Sequence, residues 1–350
     1  MTQLILFDVF NGLIVGAFYA LMALGLSLIL NLSGVINFAH GGFLALGAYF
    51  AYTMMPYTGF WGALLVAPVL TAIVGLVVEW ALIRRLYGRD PLYSLLLTFG
   101  LAYIFEDGTR FIWGPQSLPY SVPNWLNTPL STDFFFLTGY RLFMVLLVVV
   151  AVIGLFIILR RTRLGMRIRA GTLDLDTVSV LGVNVRLLRS LNFGLGIYLA
   201  GLAGVLAAGM LGLQPTIGTS LIMPSFVAII VGGLGSLPGT LLGGLLIGVA
   251  SGVVTVFFSS ASEAVIYVMM AVVLLTDNAR YSFVEQAITT LILVLILLIT
   301  LALLLMAPRL HRLLGDSGAS IISRVMGLIL ASVATTHVLE GIQEFFRMSR

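Results

Sequence analysis

Glu106, Asp107 and Arg110 stand three and four residues apart, a spacing that puts all three on one face of a helix. That set can form a local ion pair at an interface. It can also serve as an entrance group for a zwitterionic solute. Glu79, close to Arg84 and Arg85, is expected to form a second ion pair at the inner end of a span. His40, in the run Asn37-Phe38-Ala39-His40-Gly41-Gly42, has no carboxylate nearby and no second His at metal spacing. The run therefore predicts a turn or short re-entrant element carrying a hydrogen-bonded His, with a proton relay as the sharper alternative. No Ser–His–Asp grouping, paired intramembrane carboxylates or metal-ligand cluster is visible, so no catalytic residue and no metal ligand is assigned and the chain does not read as an enzyme.

The elements that carry these residues are apolar. Of 350 residues 60% are hydrophobic and 9% charged, against about 25% charged in soluble domains, and the mean hydropathy is +1.12. Apolar runs of about 20 residues are candidate transmembrane helices. They fall near 7–30, 36–55, 62–83, 92–112, 140–160, 190–212, 222–235, 238–258, 264–276, 286–306 and 320–345. The alternating strands of a membrane barrel are absent from the pattern. The expected fold is an all-α polytopic bundle of about eight helices with about two more at the C-terminal end, some short or broken. There is no cysteine, hence no disulfide or thiolate chemistry. All eighteen basic residues are Arg. A phosphate-binding P-loop needs Lys, so ATP is not expected to bind here and no cofactor is assigned. The net charge of +4 lies mostly in loops and carries no nucleic-acid signal. No basic stretch precedes the first apolar run, so no cleaved signal peptide is expected.

Seven arginines lie between Arg160 and Arg189, which places that loop in the cytoplasm by the positive-inside rule. Arg84, Arg85 and Arg89 then fall inside, and residues 114–139, rich in Pro, Ser and Asn with Trp113, Tyr120 and Trp125 for an interface belt, fall outside. Counting back puts the N-terminus outside. Past Leu275 the count conflicts: Arg309, His311 and Arg312 would be carried outward. Within the arginine loop, Leu173, Val178, Val180, Leu181 and Val183 give a helix-like apolar face, expected over 170–183, that can dock a partner. A second motif is the glycine-rich run from Val231 to Gly248, with small-xxx-small pairs Gly239–Gly243 and Gly244–Gly248 that favour close helix approach. Its Gly235-Ser236-Leu237-Pro238-Gly239 stretch is expected to break a helix near a translocation pathway. Asn37, His40, Gly41, Gly232, Gly233, Gly235, Ser236 and Gly239 are the pathway candidates.

Several runs resemble one family. GLIVGAFYALMALGLSLI followed by NFAHG, EWALIRRL followed by LLLTFGLAYIFED, RAGTLDLDTVSVLGVNV, LAGLAGVLAA and VGGLGSLPGTLLGG, in order over about residues 5–275, are similar to the permeases of branched-chain amino acid ABC transporters, in particular the smaller subunit. The same family includes permeases for urea and short amides. The resemblance implies half of a heterodimeric pore in a bacterial inner membrane, with a second permease subunit, two cytoplasmic ATPases and an extracytoplasmic solute-binding protein as partners and lipid around it. It implies that Gly165, Arg169, Ala170, Asp174, Leu181, Gly182 and Asn184 form the element that couples to the ATPase. The competing readings are a self-contained secondary transporter and a non-functional fusion. The last reading arises because about residues 276–350, with LLTDNAR, APRLHRLLGDSG and SRVMGLILASVATTHVLEGI, resemble the end of the MarC family of integral membrane proteins.

Overall fold

The computed structural model describes residues 2–132, 135–257, 262 and 264–275. Contacts divide the chain at Leu274/Leu275. The expected spans 286–306 and 320–345, and the Arg309–Arg312 loop, lie outside the described residues.

Ten α-helices account for nearly all of them: α1 (Thr2–Ser33), α2 (Ala39–Ala81), α3 (Pro91–Trp113), α4 (Gly139–Arg161), α5 (Arg163–Leu173), α6 (Leu175–Val180), α7 (Val185–Leu211), α8 (Ile217–Gly232), α9 (Leu237–Phe257) and α10 (Ala264–Leu275). The all-α expectation holds, with one addition. A short antiparallel hairpin, β1 (Pro129–Thr132) and β2 (Phe135–Thr138), lies in the Pro-rich loop before α4. Five helices, α1, α2, α4, α7 and α9, are long and apolar enough to cross a membrane.

α2 has 43 residues, about 64 Å of helix, twice the thickness of a bilayer core. It resolves this by folding back at Gly59 (φ 68°, ψ 177°), a conformation open to glycine. The two limbs match the expected spans 36–55 and 62–83, with a single glycine where a loop was expected. Both limbs pack on α7: Gly47 and Pro68 each meet Gly201, while Gly75 meets Ile197. α7 is thus sheathed on two sides, and its Phe193, Ile197, Ala200, Ala203 and Ala207 are fully buried.

The glycine pairs of α9 serve two neighbours. Gly239 and Gly243 lie against Gly232 and Ala228 of α8. Gly244 and Gly248 lie against Ala20, Gly12 and Gly16 of α1. Without side chains between them the backbones touch, which is how helices gain packing in lipid.

Candidate functional site

The arginine-rich segment forms a cap over the adjoining ends of α1, α4 and α7. Thr162 starts it: its hydroxyl accepts from the Gly165 amide at 3.1 Å. Gly165 lies against the backbone of Ile158 and Leu159, so a side chain there would push α5 off the end of α4. Gly171 seats α5 between Leu32 of α1 and Leu188 of α7. Asp174 ends α5 and caps α6, accepting from the amides of Asp176 and Thr177 at 3.0 Å and from the Thr177 hydroxyl. These bonds, the Thr177 hydroxyl foremost, hold its carboxyl below the usual carboxylate range. Gly182 closes α6 at φ 82°. Asn184 caps α7, accepting from the Leu187 amide at 3.1 Å.

The single helix expected over 170–183 is therefore two, because the Asp174 cap satisfies the amides of a new first turn. The apolar face is likewise divided. Val178 is buried against the bundle and Val183 is half-buried, whereas Leu173 (90% exposed), Val180 (88%) and Leu181 (76%) point outward. Arg169 and Ala170 are exposed beside them.

The pathway candidates separate into two groups. Gly232, Gly233, Gly235, Ser236 and Gly239 form the turn between the antiparallel helices α8 and α9 and do not interrupt a span. Gly235 and Leu237 share a cavity of about 330 Å³ with Leu28, Asn31, Ile168, Arg169 and Leu173, so this turn lies beside α5. Ser236 accepts from the Gly239 amide at 3.1 Å.

Asn37, His40 and Gly41 form the second group, and here backbone lacks helix within the bundle. α1 ends at Ser33, and residues 34–38 climb back before α2 begins. The His40 ring packs on Gly25, eight residues or about 12 Å up α1 from Ser33. The expected re-entrant element is present, so α2 starts at 39 and not at 36. One side chain meets its freed backbone: the Thr98 hydroxyl of α3 accepts from the Phe38 amide at 3.1 Å and shares its proton between the Ile36 carbonyl at 2.9 Å and the Ser94 carbonyl of its own helix at 2.8 Å. Non-helical backbone is tolerated at such depth only when protein covers it. His40 is not hydrogen-bonded as expected. Its ring faces the Met22 carbonyl, but neither ring nitrogen makes a hydrogen bond of normal geometry, nor does either Asn37 amide atom. Both residues are fully buried.

Reading the chain alone missed Thr98 and Gly218. Gly41 lies backbone to backbone with Gly218 at the start of α8. Thr98 lies inside the run LLLTFGLAYIFED, but nothing in that run sets it apart from its neighbours, and Gly218 lies in no motif.

Two ion-pair groups complete the picture. Glu79, fully buried, takes a two-pronged bond from Arg84 at 3.0 and 3.2 Å and further bonds from Tyr87 at 3.1 Å and Ser190 at 2.9 Å. Arg189 stacks on the Tyr87 ring at 4.7 Å. This ties the end of α2 to the start of α7. Arg110 pairs with Glu106 and Asp107, as the spacing predicts.

A helical bundle with a capped, arginine-rich loop and a re-entrant segment defines a multi-pass membrane transport protein. Residues 9–275 match the family described as branched-chain amino acid transport system / permease component, and the chain belongs to that family. Residues 267–346 match the MarC family integral membrane protein. The chain is similar to the high-affinity branched-chain amino acid transport system permease protein BraD of Pseudomonas aeruginosa, 29% identical over 76% of this chain and 91% of BraD. It is similar to the corresponding permease protein LivH of Escherichia coli, 28% identical over 77% of this chain and 92% of LivH. To LivM of the same organism it is 28% identical over 65% of this chain and 59% of LivM.

Proposed function

We propose that this chain is an inner-membrane permease subunit of an ATP-driven importer of branched-chain amino acids, with α5 and α6 as the seat of a cytoplasmic ATPase. The observation that carries the reading is the exposure of Leu173, Val180 and Leu181 on an arginine-rich cap, which the arginine bias assigns to the cytoplasm. An apolar patch in that setting marks a protein contact. The cap is built to pass on force. Gly165 locks α5 to α4, and Gly171 wedges it between α1 and α7, so displacing α5 displaces three spans. The seat accounts for one ATPase. A sister permease related as LivM is to LivH supplies the second seat, and a solute-binding protein delivers the solute from outside. ATP is bound by the partners, and this chain holds no cofactor of its own.

The test is Leu181→Asp with Leu173→Asp in a reconstituted transporter. Leucine uptake and co-purification of the ATPase should both fall at least tenfold, with the permease at normal abundance in the membrane. Unchanged uptake would defeat the docking assignment.

A further inference from the structure

Besides the coupling cap, a groove of about 190 Å³ opens on the face shared by α3 and the starts of α2 and α8. Its walls are Phe38, Phe99, Tyr103, Ile222 and Met223, and Glu106 stands at one edge. We infer that this groove is a transient subsite for the transported solute, a free amino acid with a branched apolar side chain, whose ammonium group is met by Glu106. The inference deepens the importer reading and rests on it.

Three features converge. The first is size. A pocket below the usual 300–1,000 Å³ of larger ligands suits one small metabolite. The second is charge. Glu106 accepts from Arg110, yet a carboxylate has about four acceptor sites, leaving room for an ammonium. Arg110, one turn further along the same face and 44% exposed, offers a cation to the solute carboxylate. The third is setting. Asp107, 72% exposed, and Arg110 sit on this outward face near the end of α3, where charged side chains favour water or a protein neighbour over hydrocarbon. On the importer reading this end of the face borders water or the second subunit, where a solute passes. The remaining walls are apolar and take the branched side chain. Binding here need only be weak, since a site that holds its solute tightly does not release it.

The chain has no cysteine, so Thr219→Cys, at the rim of the groove, gives a single reactive thiol. In the complete transporter reconstituted with its ATPases and leucine-loaded binding protein, leucine should slow thiol labelling several-fold during ATP turnover. 4-Methylpentanoate, which lacks the ammonium, should not. Glu106→Gln should remove the protection and lower leucine uptake about tenfold. Ile222→Trp, which fills the apolar wall and leaves the ion pair intact, should reduce leucine uptake more than alanine uptake. Labelling that ignores leucine, or wild-type uptake by Glu106→Gln, overturns the subsite while leaving the importer reading standing. A wild-type complex that imports no amino acid overturns both.

Discussion

Gly41 and Gly218 meet backbone to backbone, so that a Cβ on either would fall on the carbonyl group of the other. Two helix starts, those of α2 and α8, are thereby held together inside the bundle. Because the contact is between backbones, neighbouring side chains cannot relax to admit more bulk. Gly218→Val should cost about 1–3 kcal/mol, as overpacking does. It should also lower the unfolding temperature of the purified protein in detergent, and Gly41→Val should do the same. An unchanged unfolding temperature in both variants would show that the helix starts can part freely.

Thr98 holds the re-entrant backbone with one hydroxyl group. Thr98→Val keeps the shape and removes the acceptor of the Phe38 amide together with the donor shared by the Ile36 and Ser94 carbonyls. Leaving those buried groups unpaired costs about 1–3 kcal/mol. Thr98→Ser restores the hydroxyl and should recover most of the loss. Hydrogen exchange at the Phe38 amide is the direct readout, with acceleration expected in the valine variant and near-normal protection in the serine variant.

Asp174 makes α6 sensitive to acid. Its carboxyl is held below the usual value in the folded protein, chiefly by Thr177. The stabilisation it gives α6 is therefore complete above the ordinary carboxylate pKa of about 4 and is lost as pH falls through the lower folded value. Exchange at the Thr177 amide should accelerate with acidification in the wild type beyond the intrinsic pH trend. Asp174→Asn retains an N-cap without a titrating group, so its protection should follow the intrinsic trend alone. Identical profiles in the two proteins would exclude Asp174 as the origin.

The match to the permease family ends at residue 275, and the match to the MarC family runs from 267 to 346. A stop codon after Leu275 is expected to leave leucine uptake equal to that of the full chain or above it. Loss of uptake by a truncated protein at normal membrane abundance would make the tail a working part of the transporter.

The sequence alone was enough to read the bundle and both ion-pair groups, since these follow from hydropathy and helical spacing, which are local properties. Gly165, Asp174, Gly182 and Asn184 stood out only through the family resemblance, as a coupling element; that they are the caps and corners of this segment came from the structure. What only tertiary structure decided is which surfaces meet. Val178 and Leu181 have the same apolar character, yet one packs on the bundle and the other faces water, depending on where Asp174 divides the helix. That Gly235 lies beside α5 is likewise visible only in the packed structure. Gly41 and Gly218 are 177 positions apart in the chain, and a glycine's value there is the absence of a side chain against a distant backbone. Such a contact leaves no trace in either local sequence, so it becomes visible only once the helices are packed.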